Sequence, residues 1–283
     1  MKIAFAPGLR DAWMRGVRLK RFLVILLTLL ALAAAAGWIF RGKLEPWSQL
    51  AGIPLPAPEA PAPRADAARY AVLKKEVERW RKDLAGRHAK ARTTEEKDRV
   101  LAESRRLLER VLPEMMRCWL GTPWDFNGTS EVPGEGKVAC GYFVSTVLRD
   151  AGFRVDRFKL ARQPSQNILL SFLPRESLSL KVGAVYESYA DDLDRAEPGI
   201  RIVGLDRHVA FLVTGPEGFR FIHSSGSKPW CVVDEARAEA EVLRRSNYRV
   251  EGLLTADKPL LRRWLAGEKI AVKGSDPATA VRR

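Results

Sequence analysis

The chain is 283 residues long, 46% hydrophobic and 29% charged, with a formal net charge of +14. It exceeds one average domain and can bury a sizeable core. The basic excess comes without zinc-finger spacing or any other nucleic-acid motif. That argues against a nucleic-acid partner and points to a membrane surface or an anionic polymer.

The excess is uneven. Residues 1–43 hold eight Lys/Arg against one Asp, and residues 69–110 hold fourteen Lys/Arg against eight Asp/Glu. The first run leads into Phe22–Phe40, FLVILLTLLALAAAAGWIF, which carries no charge over 19 residues. As a helix this stretch is about 28 Å long, enough to cross a bilayer core. The positive-inside rule keeps the N-terminus cytoplasmic and sends the rest of the chain across. A cleaved signal peptide competes, through the small-residue run Ala33–Ala36, as does a buried core helix; the apolar Trp38-Ile39-Phe40 favours an uncleaved anchor. Residues 44–66 follow as a linker, whose alternating prolines in GIPLPAPEAPAPRA hold it extended as polyproline II, off the membrane.

Residues 67–117 read as a helical hairpin. Tyr70, Leu73, Val77, Trp80 and Leu84 step by three and four, a heptad seam that Gly86 is predicted to break, placing His88 in a solvated loop. Thr93 followed by Glu96 is a capping-box pattern that opens a second helix, with Val100, Leu107, Leu108, Val111 and Met115 on its apolar positions. Pro113 is expected to end or kink it.

Residues 119–130 are turn-rich and aromatic. A turn with Pro133, Gly134 and Gly136 then leads into Cys140, after which Phe143, Val144, Val147 and Leu148 form one helical face. Cys140 therefore starts a helix, where free N–H groups and the positive dipole end favour the thiolate. Gly152 supplies a C-terminal stop. Residues 155–198 are expected to hold a short strand over Val182–Tyr189 and an acidic loop at Asp191, Asp192 and Asp194.

A β pattern then resumes at residues 200–205 and 208–213, turns at 214–218, and continues at 219–223 and 230–233. A helix over 234–245, a strand over Tyr248–Thr255 and an amphipathic helix with Leu260, Leu261, Trp264 and Leu265 complete the domain. The tail, 267–283, is polar and expected to fray. Helices first and an antiparallel sheet later describe an α+β domain over residues 118–266.

There are three cysteines, Cys118, Cys140 and Cys231. The odd count allows one disulfide and one free thiol, and a Cys118–Cys231 bridge leaving Cys140 free is one expectation for an exported domain. Two unpaired cysteines packed as small hydrophobes are the other. There are also three histidines, and two of them, His208 and His223, fall on consecutive strands of the meander. A Cys at a helix start and a His on a neighbouring sheet suit a thiol nucleophile, with a third polar group fixing the imidazole tautomer. Two alternatives stay open: a metal site that adds Cys231, though no close ligand pair nucleates one, and packed residues without chemistry.

The runs GTPWDFNGTS, ACGYFVSTVLRDAGF and HVAFLV…FRFIHSSG resemble, in order, the motifs of the NlpC-type branch of the papain-like cysteine peptidases. The resemblance covers residues 117–255 and implies a papain-like fold with the Cys helix packed on an antiparallel sheet. It implies Cys140 as nucleophile, His208 as base and His223 as the orienting group. Trp124, Asn127 and Gly141 fall at substrate-binding positions. It also implies amide hydrolysis in peptidoglycan stem peptides, without a cofactor. Three positions depart from the family pattern: Ala139 stands for an Asp and Gly141 for a Ser, which in the family help bind a free amino end, and Trp124 stands for a Tyr and offers no hydroxyl. The long Cys-to-His interval marks residues 155–198 as an insertion that reshapes the cleft. The combined expectation is a membrane-anchored cell-envelope cysteine hydrolase, with a non-catalytic envelope-binding module or an acyltransferase on the same fold as the alternative.

Overall fold

Two long helices open the structure, a computed structural model that describes residues 64–274. The expected anchor or signal peptide, most of the proline-rich linker and residues 275–283 lie outside the described residues. Among the described residues, no helix is long and apolar enough to cross a membrane.

Helix α1 (Ala67–Lys90) is capped by Asp66, whose side chain accepts from the Arg69 N–H; α2 (Thr94–Arg117) starts with the expected Thr93–Glu96 capping box. Gly86 does not break α1. It sits exposed in the last turns, where a glycine costs about 1 kcal/mol relative to alanine, too little to undo a helix held along its other face. His88 is therefore helical and half-buried, not in a loop. Pro113 lies inside α2 without ending it. The seam buries Tyr70, Val77 and Leu84, whereas Trp80 is exposed.

The hairpin is fastened to the rest of the domain. Tyr70 Oη donates to Asp150 at 3.1 Å, and Lys74 pairs with the same buried carboxylate at 3.0 Å. Trp119 is fully buried between the edges of Tyr70 and Phe143, at centroid distances of 5.6 and 6.1 Å. Its indole thus joins the hairpin to the Cys140 helix. Trp119→Ala is expected to cost about 3–5 kcal/mol, measured by urea unfolding with a single shared transition. An unchanged midpoint would mean that the hairpin and the sheet layer fold separately.

Helix α3 (Cys140–Asp150) packs on a six-stranded antiparallel sheet. Its strands are β2 (Leu178–Val182), β3 (Gly199–Leu205), β4 (Val209–Gly215), β5 (Gly218–Ser224), β6 (Val232–Ala236) and β7 (Tyr248–Leu253), in spatial order β2-β7-β3-β4-β5-β6. The period-two alternation sorts their side chains. Ile200, Ile202, Val209, Phe211 and Ile222 join the core with α3. Val203, Leu205, Ala210, Leu212 and Phe221 belong to a second cluster on the other face, under α6 (Tyr186–Asp194) and α7 (Glu241–Arg245). The architecture is α+β, as expected, but both faces of the sheet are covered.

That second layer accounts for two corrections. The strand expected over Val182–Tyr189 stops at Val182, and the acidic residues expected in a loop ride on α6. Tyr186, Tyr189, Ala190 and Leu193 are spaced for a helix and are all buried. The helix expected over 234–245 is confined to α7, because residues 232–236 pair with β5 from Ser224 to Arg220.

The described start of the tail, residues 267–274, departs from the expected fraying. Gly267 adopts the left-handed conformation after α8 (Lys258–Ala266), and β8 (Lys269–Ile270) then pairs in parallel with β1 (Arg154–Val155), burying Ile270. All three cysteines are free. Cys118 is buried at the C-cap of α2, and Cys231 sits in a bridge opposite Pro123, so the expected Cys118–Cys231 disulfide is not formed.

Candidate active site

The residue before Cys140, Ala139, gives α3 no side-chain cap, so the helix start is left open to another acceptor. Burial and the nearby backbone N–H groups of Val209, Gly141 and Cys140 act on the Cys140 sulfur in opposite directions, the N–H groups lowering its pKa. Burial outweighs them and pushes the Cys140 thiol up. This corrects the expectation of a favoured thiolate. The N–H groups at the helix start act as supposed, but burying an anion there costs more than they return.

Gly141 answers to packing. A Cβ at this position would run into the backbone carbonyl oxygen of Ala161. Ala161 ends α4 (Arg157–Ala161), a short helix in the 155–198 stretch, and α4 is held firmly. Asp156 caps it, and the buried Arg157 donates to Thr146 at 2.6 Å and to the carbonyls of Thr129 and Ser130 at 2.8 Å. The residue after the cysteine is therefore a glycine because a backbone lies across it.

His208 immediately precedes β4 and is half-buried. Its Nε2 lies 2.8 Å from Nδ1 of His223, with the rings edge to face. His223 is fully buried on β5, and its Nε2 lies 3.1 Å from Oε2 of Glu235 on β6. Burial holds both imidazoles neutral: His223 is pushed down to about 3, and His208 falls well below its ordinary value, with His223 adding to the effect. The Glu235 carboxyl moves the other way, up to about 7, chiefly through burial. Nδ1 of His208 has no hydrogen-bond partner among the described residues, so it is the nitrogen left for the cleft.

Cys140 and His208 line the same cleft, which has two lobes of about 590 and 650 Å³. Both lobes share Cys140, Gly141, Ala161, Gln163, Arg207 and His208. The first lobe extends along Pro164–Gln166 to Tyr248, and the second to Trp124, Asn127 and the exposed Phe126. The structure thus brings together all six residues singled out from the sequence: Cys140, His208, His223, Trp124, Asn127 and Gly141. His223 stands behind His208 and does not line the cleft. Residues Ala161–Gln166, from the 155–198 stretch, line it. Cys231, the fourth ligand of the metal alternative, lies on the bridge to Pro123.

Two features were missed from the sequence. Glu235 was hidden by reading 234–245 as a helix. Pairing Val233 with His223 would have placed Glu235 on the same face, two residues further on. The Ala161–Gln166 wall had no signal, because nothing in its pattern says that it crosses α3. Comparisons with protein-family models, curated proteins and solved structures find no match to this chain.

Proposed function

We propose that this chain is a cysteine hydrolase of amide bonds, built on the NlpC-type papain-like plan, with Cys140 as nucleophile, His208 as general base and His223 as the orienting group. The observation that carries the reading is the 2.8 Å contact between His208 and the buried His223, in the wall of the cleft that Cys140 shares. Two neutral imidazoles beside a protonated thiol favour general-base activation during attack over a standing ion pair.

Nδ1 of His208 takes the thiol proton as the sulfur adds to the substrate carbonyl, and backbone N–H groups at the start of α3 stabilise the oxyanion. The same nitrogen then protonates the leaving amine, the C–N bond breaks and a thioester remains. Water, deprotonated by His208, releases the acid and restores the thiol. Stem peptides of peptidoglycan are the default substrate. The apolar stretch 22–40 is proposed, from sequence, to hold the domain outside the cytoplasmic membrane.

Digestion of purified sacculi and synthetic stem peptides, with mass spectrometry of the fragments, tests the reading. New amine ends are expected from the wild-type chain and none above background from Cys140→Ala. Equal release from the two would end the cysteine mechanism. Retention of sacculi without cleavage by either chain would favour an envelope-binding module.

A further inference from the structure

We infer that Glu235 is a positioning residue that sets the tautomers of His223 and His208 together, and so decides whether His208 presents a lone pair or a proton to Cys140. Its bearing on catalysis rests on the reading of Cys140 and His208 as nucleophile and base.

A neutral imidazole has one N–H and one lone pair, on different nitrogens. An ionised carboxylate can only accept. With Glu235 ionised, the proton of His223 is on Nε2 and its Nδ1 is a lone pair. That lone pair accepts from Nε2–H of His208, which leaves Nδ1 of His208 as a base. A protonated Glu235 can donate instead. Nε2 of His223 then accepts, its Nδ1–H donates to Nε2 of His208, and the last proton sits on Nδ1 of His208, where no thiol proton can be taken. Both arrangements satisfy the 2.8 Å and 3.1 Å contacts, so the chain turns over as one unit.

The surroundings make the turnover reachable near neutrality. The side chain of Glu235 is 17% exposed, and burial raises its pKa to about 7. Glu239 in the following loop, Asp234 on β6 and Glu241 on α7 raise it further, whereas Arg220 on β5 lowers it. Arg220 is itself engaged by Asp234, at 2.8 Å. His223 offers no competing site for the proton, because it is fully buried with the Phe221 ring 4.3 Å away. Glu235 lines neither lobe and acts on the cleft through His223.

The chain has three histidines, so nitrogen-15 labelling of histidine in the full chain resolves each ring by NMR. Spectra from about pH 5 to about pH 9 cover the ordinary carboxyl and imidazole ranges. At the alkaline end both His208 and His223 are expected as Nε2–H. Towards acid both move to Nδ1–H without becoming imidazolium, with a midpoint that belongs to the coupled His223–Glu235 pair. Glu235→Gln removes the pH-dependent exchange, Glu235→Asp retains it, and Glu239→Gln moves the midpoint to lower pH. Iodoacetamide alkylation of Cys140 follows the same midpoint in the wild type, falling about tenfold per pH unit below it beyond what thiol ionisation alone gives.

Tautomers that stay constant across the range, or that turn over unchanged in Glu235→Gln, would overturn the proposal. The NMR readout does not depend on a reactive thiol. Turnover of the relay beside a Cys140 indifferent to His208→Ala would leave the relay standing and sink the hydrolase reading. A His208-dependent Cys140 with no turnover would do the reverse.

Discussion

His208→Ala is expected to lower turnover by about 10²–10⁴-fold, the usual worth of a positioned general base. The expectation follows from a thiol that rests protonated and so needs a base to become a nucleophile. Burial pushes the Cys140 thiol up, and the N–H groups of Val209, Gly141 and Cys140 offset this only in part. A cysteine that rested as a thiolate would lose less. The sign can be read from alkylation against pH in wild type and His208→Ala. A raised thiol places the mutant midpoint at or above the free-thiol value of about 8.5. The wild type should react faster below it by base assistance. A mutant as active as wild type, with the same pH profile, would remove His208 from the chemistry.

Gly141→Ser restores the residue that the resembled family carries after its cysteine, and it is expected to damage this protein. The new Cβ would meet the Ala161 carbonyl, a backbone group that cannot swing aside like the end of a long side chain. Overpacking of this kind costs on the order of 1–3 kcal/mol and sometimes more. A chain of this size loses roughly 2–4 °C of Tm per kcal/mol. The two sides of the contact are both anchored: Gly141 lies in the first turn of α3, and α4 is tied down through Arg157. If α4 gives way, the Ala161–Gln166 wall shifts with it and KM should rise along with the loss of stability. A variant with unchanged Tm and KM would show that α4 is not braced against α3.

The mutations probe different links. Gly141→Ser tests the packing of the cleft wall, and His208→Ala tests the base itself. Both line one cleft together with Ala161 and Gln163, so their effects are not expected to add.

Much of the site was legible along the chain because it sits at the ends of periodic elements. The apolar face Phe143, Val144, Val147 and Leu148 placed Cys140 at a helix start, and α3 begins there. The alternation around His208 and His223 placed them on paired strands; His223 lies on β5, and His208 stands one residue before β4, which pairs with it, Phe211 opposite Ile222. Local pattern suffices for such features, since period and capping chemistry are set within a few residues. The α1–α2 hairpin was readable for the same reason, down to the Thr93–Glu96 box.

What could not be read depends on which surface meets which. The helix α6 and the strand β6 each had a plausible competing assignment, and the covering of the sheet's second face settled both. The partnership of Glu235 with His223 follows from strand register, which joins residues that no local pattern links. The state of Cys140 was misjudged on the same ground. Its place at a helix end is local and was evident, but desolvation depends on how distant segments bury the sulfur, and that burial outweighs the helix end here. Residue order along a helix or strand therefore specified the candidate groups, while burial and register, which arise only when distant segments pack, set their environments and their partners.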